Sequence, residues 1–138
     1  MTQYKNRSEI PVEYTWALED LYATDEAWEQ ELATLADDEK VLTAFAGKLG
    51  ESAETLYAYM EKTEAVNAKA ELLGNYCMRK ADQDTREAAY QAMVGKFRAV
   101  MVDLSAAGSF ETPEIMAIPD GDLDRFYEEC PELERYRR

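Results

Sequence analysis

The 138-residue sequence contains no histidine. Histidine is the commonest general base in enzymes and the commonest metal ligand. Its absence excludes a Ser-His-Asp triad, a Cys-His pair and a histidine-type zinc site built from this chain alone. We therefore predict no catalytic, cofactor-binding or metal-binding residue in the chain, and no cofactor bound by it.

Glycine (6 residues), proline (4) and cysteine (2) are also scarce. No apolar run approaches the ~18 residues of a membrane-spanning helix, and the polar start of the chain carries no secretory leader. Cys77 and Cys130 form no CxxC motif, and Cys77 falls on an apolar helical face, which predicts a buried free thiol. Both thiols suit a reducing compartment, so the predicted location is the cytoplasm.

Basic side chains are few: 15 stand against 29 acidic ones, which gives a formal charge of −14. A chain this acidic repels phosphate backbones and anionic lipid surfaces, so neither nucleic acid nor membrane is an expected partner. An acidic surface can attract a basic partner, but a requirement for solubility explains the excess more simply.

The residues that are abundant are strong helix formers, and apolar side chains recur at three- and four-residue spacing. We predict an all-α fold, an antiparallel bundle of three long helices with short C-terminal helices. An extended N-terminal arm covers residues 1–23, and residues 24–138 form one helical domain. Four side chains of the arm are expected to pack on the bundle, with a ligand-stacking surface as the alternative: Trp16, Leu18, Leu21 and Tyr22.

Capping residues place the first two long helices. Thr24 is predicted to cap the first helix, with a break at Asp37-Asp38. Ser52 is predicted to cap the second. Gly74 lies inside that second helix, where a small residue permits close packing of a neighbouring helix.

The later helices begin at less regular signals. Asp82 or Asp84 is predicted to cap the third long helix. Thr112 is predicted to cap a short helix that has Pro113 at its first position, and Pro131 to open a last helix. No stop signal follows Pro131, which predicts that the natural polypeptide continues.

Two acidic segments imitate calcium loops without completing them. The DGDLD segment at 120–124 is followed by Arg125 at the sixth position, which needs glycine, and by Pro131 at the twelfth, which needs glutamate. The DQD segment at 82–84 has Met93 at its twelfth position. Both segments are better interpreted as carboxylates at helix starts.

A basic cluster stands out in this acidic chain. Arg79 and Lys80 lie at the predicted end of the second helix, with Arg86 shortly after. We expect these cations to pair with neighbouring carboxylates and with the carboxyl end of that helix.

Three stretches are distinctive when taken together: RSEIPVEYTWALEDLY at 7–22, GKLGES at 47–52 and SFETPEI at 109–115. They resemble the N-terminal region of oligoendopeptidase F, among the thimet-oligopeptidase-like (M3) zinc metallopeptidases. The YCMR and DQDT segments at 76–79 and 82–85 fit the same pattern. Ala17 departs from it, since a polar Asp or Asn is expected after the tryptophan.

The resemblance implies a zinc site in an absent catalytic part of the protein, where an HExxH helix and a downstream glutamate hold the metal. None of those residues maps onto this chain, so it implies no catalytic residue here and an inactive chain in isolation. It implies instead a helical lobe that walls the substrate channel and gates the entry of short oligopeptides. The implied partners are the missing C-terminal catalytic domain and the oligopeptide substrates.

Two other interpretations stay open at the level of sequence. One is a stand-alone acidic helical adaptor, supported by the charge and by nine tyrosines spread along the chain. The other is self-association through an apolar patch that the catalytic part normally covers.

Overall fold

The computed structural model describes residues 4–137 of the chain, and these residues contain helices and turns but no strand. The α-helices are α1 (Asp25–Thr43), α2 (Ala53–Gln83), α3 (Ala88–Ala107), α4 (Glu111–Ala117) and α5 (Asp120–Glu129). The all-α prediction, with three long helices and short C-terminal ones, is confirmed. Within the described part of the chain, no helical stretch has the length and hydropathy of a bilayer-spanning segment.

Side-chain caps begin the first two long helices. The Thr24 hydroxyl accepts a hydrogen bond from the amide of Ala27 at 3.1 Å, and the Ser52 hydroxyl accepts one from the amide of Thr55 at 3.1 Å. Each bond satisfies one of the amides that a helix start leaves without an intrahelical partner. Both predicted caps are confirmed.

Ion pairs fix the relative direction of α1 and α2. Asp25, at the start of α1, lies 3.1 Å from the ammonium of Lys80 near the end of α2. Asp38, thirteen positions later in α1, contacts Lys69 and Lys62 at 2.7 and 2.6 Å. The partners run backwards along α2 as α1 advances, so the two helices are antiparallel.

The core lies between the three long helices and is closed by aromatic side chains. Trp28 is fully buried, donates its indole N–H to the Leu73 carbonyl at 2.9 Å and stacks beside Tyr76. The prediction for Cys77 is confirmed, because its side chain is completely buried as a free thiol.

α2 and α3 approach each other closely at Gly74. A Cβ atom at this position would lie 2.9 Å from Cζ of Phe97 and 3.1 Å from its Cε1. Real Cβ atoms do not come so near a neighbour, so only glycine lets the Phe97 ring pack against the α2 backbone. The predicted role of Gly74 is confirmed.

The predicted break in α1 at Asp37-Asp38 is wrong. α1 continues to Thr43, and Asp38 is buried with only 6% of its surface exposed. The physical reason is that Lys62 and Lys69 of α2 both contact its carboxylate, which compensates for the loss of water around the charge.

Two other predicted caps are wrong. α3 begins after Glu87, whose carboxylate accepts from the Ala89 amide, while Asp84 binds the backbone and guanidinium of Arg86. α4 begins at Glu111, one residue before the predicted cap Thr112. Pro113 therefore occupies the third helical position, which is tolerated because the first four amides of a helix have no intrahelical acceptor.

The last helical element of the described residues is a 3₁₀-helix, Pro131–Tyr136, at the place where a last helix was predicted. Its Leu133 is buried, and its Tyr136 ring contacts Tyr57 of α2. This short helix thus packs on the amino-terminal half of α2, and α5 packs on both of them.

The N-terminal arm contains three one-turn 3₁₀-helices, Arg7–Glu9, Val12–Tyr14 and Leu18–Asp20, linked by extended residues. Residues 1–3 of the predicted arm lie outside the described residues. Leu18 is buried and Tyr22 packs edge-on against Tyr76, as expected.

The predicted burial of Trp16 and Leu21 is wrong, since both are exposed. Trp16 lies over the guanidinium of Arg79, with 4.4 Å between the Arg79 Cζ and the ring centroid. This contact covers part of the indole, and Trp16 as a whole stays 61% exposed.

Candidate functional site

A groove of about 1090 Å³ lies between α1, α2, α3, α4 and the C-terminal 3₁₀-helix. We call it the α2–α4 groove. Small-molecule and cofactor sites in proteins typically have volumes of about 300–1000 Å³, with apolar walls and a few polar groups. The groove is therefore large enough for several residues of an extended peptide.

Helical periodicity builds the groove walls. On α2, Met60, Thr63 and Asn67 follow one another at three and four residues, which places them on one face. On α3, Met101 and Leu104 face them in the same way. The walls thus combine apolar surface with side chains that both donate and accept hydrogen bonds.

Tyr59 and Glu111 meet in the floor of the groove. The Tyr59 ring is 1% exposed, and its hydroxyl donates to a Glu111 carboxylate oxygen at 2.9 Å. Burial, and then this hydrogen bond to a carboxylate, raise the pKa of Tyr59 to about 12. Tyr59 is therefore a fixed neutral donor at physiological pH, and it links α2 to α4.

A second tyrosine–carboxylate cluster lies at the edge of the groove that the C-terminal 3₁₀-helix forms. Tyr136 donates its hydroxyl to Glu64 at 2.6 Å, and Arg135 forms an ion pair with the same carboxylate. Desolvation, and then the contact with Glu64, raise the pKa of Tyr136 above its ordinary value. The rim thus presents a neutralised carboxylate and a guanidinium that is half exposed.

The chemistry of the groove is that of a binding surface. Glu111 and Glu64 accept hydrogen bonds from Tyr59 and Tyr136, and the raised pKa of each tyrosine keeps its hydroxyl protonated rather than activated as a nucleophile. Cys77 lies elsewhere in the core, where burial raises the pKa of its thiol to about 11. A thiol so held is not activated.

The two acidic segments do not converge on a metal site. Asp122 and Asp124 pair with Arg125 and Arg137 at 3.1 and 3.2 Å. Within residues 4–137, no group of three or more Cys, Asp or Glu side chains is arranged to hold a metal ion. The interpretation as helix-start carboxylates is correct for the 120–124 segment, which opens α5, and wrong for Asp82, which lies in the last turn of α2.

The predicted pairing of the basic cluster with carboxylates is confirmed, and its pairing with the carboxyl end of α2 stays a prediction. Arg79 contacts Asp82 at 3.3 Å, Lys80 contacts Asp25 at 3.1 Å, and Arg86 contacts Asp84 at 2.8 Å. The Arg86 pair lowers the pKa of Asp84 to about 2.

Sequence reasoning identified no residue of the groove as functional. Its lining comes from five elements that are far apart in the chain, and no local motif marks it. The available signal was weak: polar Thr63 and Asn67 interrupt the apolar side of α2 at helical spacing. Such residues are usually read as partly exposed positions rather than as a binding wall.

Relatives of known name match almost the whole chain. The chain is 33% identical over 134 residues to the oligopeptidase PepF of Bacillus subtilis. This match covers 97% of the chain and 20% of PepF. The chain is 35% identical over 133 residues to a plasmid-encoded oligoendopeptidase F of Lactococcus lactis subsp. cremoris, covering 96% of this chain and 22% of that protein. The chain thus spans about a fifth of the length of these relatives.

A solved structure has the same fold. The crystal structure of oligoendopeptidase-F from Enterococcus faecium superposes with a TM-score of 0.73 at 27% identity, over 83% of this chain and 22% of that one. No family model matches the sequence.

Proposed function

Because this chain corresponds to the N-terminal part of oligoendopeptidase F-like proteins, we propose that it is the non-catalytic helical lobe of a metallopeptidase that hydrolyses short oligopeptides. In this proposal the lobe forms one wall of the substrate channel and restricts entry to short, unfolded peptides. Bond cleavage belongs to the remaining part of the protein, and the peptide is held partly by the lobe.

The observation that carries the proposal is the α2–α4 groove. An extended peptide presents apolar side chains and unpaired backbone amides and carbonyls along its length. The groove offers apolar surface from Met60 and Met101, and hydrogen-bonding side chains from Asn67 and Ser105. Its composition therefore suits a peptide better than a phosphate-bearing ligand, for which the chain as a whole is too acidic.

The zinc ion that such a peptidase implies has no fitting residues in this chain. The sequence has no histidine, and the described residues provide no cluster of three metal ligands. We therefore assign no metal-dependent step to the lobe and propose that zinc is held by the remaining part of the protein. The match to longer peptidases favours this function over a stand-alone acidic adaptor. Two free cysteines support the proposal of a cytoplasmic location.

A domain exchange tests the proposed function. The matching 134-residue region of the Bacillus subtilis relative is replaced by this chain, and cleavage of a fluorogenic oligopeptide is measured. We expect chelator-sensitive cleavage by the chimera and none by the 138-residue chain alone. A folded chimera that cleaves no peptide, or cleavage by the chain alone, contradicts the proposal.

A narrowed groove tests whether this surface guides the substrate. Asn67→Trp in the chimera places a bulky ring in the groove and should raise KM for long peptides more than for short ones, with kcat little changed. Ala68→Trp is the matched control, because Ala68 is exposed on the next position of α2 and does not line the groove. Equal effects of the two variants at every peptide length would mean that the groove does not contact substrate.

A further inference from the structure

The N-terminal arm presents large apolar side chains to solvent. Val12, Tyr14 and Trp16 are 85%, 69% and 61% exposed, and they lie within five residues of one another. Isolated exposed apolar residues are common on protein surfaces, but a contiguous group that includes tryptophan and tyrosine is typical of an interaction site. We call these three residues, together with Arg79, the arm patch.

The backbone beneath the arm patch is ordered by its own hydrogen bonds. The amides of Tyr14 and Thr15 donate to the carbonyls of Pro11 and Val12 at 2.9 Å each, and the Thr15 hydroxyl donates to the Val12 carbonyl at 2.8 Å. A short 3₁₀ turn therefore fixes the backbone from which the exposed side chains project. A surface that is fixed before binding loses less conformational entropy when a partner covers it.

Arg79 gives the patch its charge. Its guanidinium stacks on Trp16 and reaches Asp82 through one terminal nitrogen at 3.3 Å. Its Nε is shielded from solvent and has no hydrogen-bond partner within residues 4–137. A buried donor of this kind costs free energy unless an acceptor reaches it.

A cavity of about 340 Å³ lies beside this guanidinium, and Arg7, Tyr14 and Trp16 also line it. Asp82 lines the same cavity and pairs with Arg79, so the two arginines leave it with one positive charge in excess, in a chain whose formal charge is −14. A carboxylate side chain entering between Arg7 and Arg79 would meet charge-assisted donors on both sides. Trp, Tyr and Arg are also the residue types most enriched at the energetic centres of protein interfaces.

We infer that the arm patch is the docking surface for the remaining part of an oligoendopeptidase F-like polypeptide, which supplies an apolar side chain against Trp16 and a carboxylate between Arg7 and Arg79. This inference rests on the proposed function. The relatives extend about five times the length of this chain, so most of such a polypeptide lies outside it. A second copy is a poorer occupant, since a two-fold contact would bring the arginines of one copy against those of the other.

Footprinting of tryptophan tests the docking directly. Hydroxyl-radical oxidation of Trp16 is compared between the 138-residue chain and the Bacillus subtilis chimera, with a free tryptophan derivative as dosimeter. Trp28, which is completely buried, is the internal reference. We expect Trp16 to be oxidised readily in the chain alone and as slowly as Trp28 in the chimera.

The remaining outcomes distinguish a failure of the docking surface from a failure of the proposed function. Equal oxidation of Trp16 in both proteins means that nothing covers the patch, and concentration-dependent protection in the chain alone assigns it to a second copy. A chimera that cleaves peptide while Trp16 stays reactive refutes the docking surface and leaves the proposed function standing. Protection of Trp16 in a folded but inactive chimera supports the docking surface and contradicts the proposed function.

Amide hydrogen exchange of residues 12–16 separates docking from a local structural role of Trp16. In the chimera, Trp16→Ala should accelerate exchange about 30-fold or more, the equivalent of losing one energetic centre of an interface. The same substitution in the chain alone should have a much smaller effect, and Val102→Ala, at another exposed apolar residue, should have little effect in either protein. Equal acceleration by Trp16→Ala in both proteins would show that Trp16 only stabilises the arm.

Discussion

Asp38→Asn is the substitution that most directly tests the packing of α1 on α2. The Asp38 carboxylate is 6% exposed and lies 2.6 Å from the ammonium of Lys62 and 2.7 Å from that of Lys69. Asparagine has nearly the same shape, so the substitution removes the charge without opening a cavity. Any loss of stability therefore reports the two charge-assisted hydrogen bonds.

The expected loss is about 2–3 kcal/mol in the free energy of unfolding. Breaking a buried ion pair typically costs about 3–5 kcal/mol, because the remaining charge is left without compensation. The lysines here keep 32% and 25% of their side-chain surface exposed, so their ammonium groups can recover water and the cost is smaller. For a domain of this size the loss corresponds to a fall in Tm of roughly 6–15 °C.

The dependence on pH identifies the charge as the cause. Burial opposes the ionised form of Asp38, but the hydrogen bonds from Lys62 and Lys69 outweigh it and hold the pKa below its ordinary value of 3.8. A carboxyl whose pKa is lower in the folded state stabilises the fold above its unfolded pKa, and this contribution disappears as the pH falls through the folded pKa. The difference between wild type and Asp38→Asn should thus be constant between about pH 5 and 8 and shrink below about pH 4.

Urea unfolding followed by circular dichroism, repeated across this pH range, measures the effect. Asp37→Asn is the matched control, because Asp37 is the preceding residue, its side chain is 81% exposed and its only salt bridge in the described residues is a 3.9 Å contact with Lys40. The control should change stability by less than about 0.5 kcal/mol. Equal effects of the two substitutions, or a difference that persists undiminished at about pH 3, would refute the role assigned to the Asp38 charge.

Two further predictions concern packing and thiol exposure. Gly74→Ala should destabilise the chain by about 1–2 kcal/mol, because the close contact of the new Cβ with Phe97 outweighs the gain in helix propensity. Gly95→Ala is the control: this position has open space around it, so the substitution should stabilise the chain by about 0.5–1 kcal/mol. Urea unfolding checks both, and a stabilising Gly74→Ala would contradict the close helix contact. In a reaction with Ellman's reagent, Cys130 should react first and the buried Cys77 only on unfolding, so that Cys130→Ser removes the fast phase; two fast thiols would contradict the burial of Cys77.

The features that the sequence predicted correctly depend on neighbours within one or two helical turns. The caps at Thr24 and Ser52 need only an amide three residues ahead. The burial of Cys77 follows from its place on an apolar stripe with three- and four-residue spacing. The α2–α4 groove could not be predicted in the same way, because its shape depends on the separation of helices that only tertiary packing sets.

The wrong prediction of a break at Asp38 gave more weight to the charge of this residue than to its position in the helical repeat. Two adjacent aspartates suggested a break in α1, yet Asp38 lies three residues after Leu35 and four before Leu42, on the buried stripe. Lys62 and Lys69 are seven residues apart and therefore share a face of α2. A charged residue on an apolar stripe, opposite two cations on the neighbouring helix, is a pattern that the sequence contained.

The prediction that Trp16 is buried was wrong for a different reason, and that reason supports the docking surface inferred for the arm patch. The arm has no helical period, so its sequence does not indicate which side chains face the bundle, and residue type alone predicted burial of Trp16. A large apolar residue such as tryptophan is expected to be buried in the complete folded protein. The structure, however, describes a region that covers about a fifth of its relatives. The expectation that Trp16 is buried is reconciled with its 61% exposure if the covering surface belongs to the part of the polypeptide beyond this region. The same argument predicts no hidden partner for Leu18, which the bundle itself already buries.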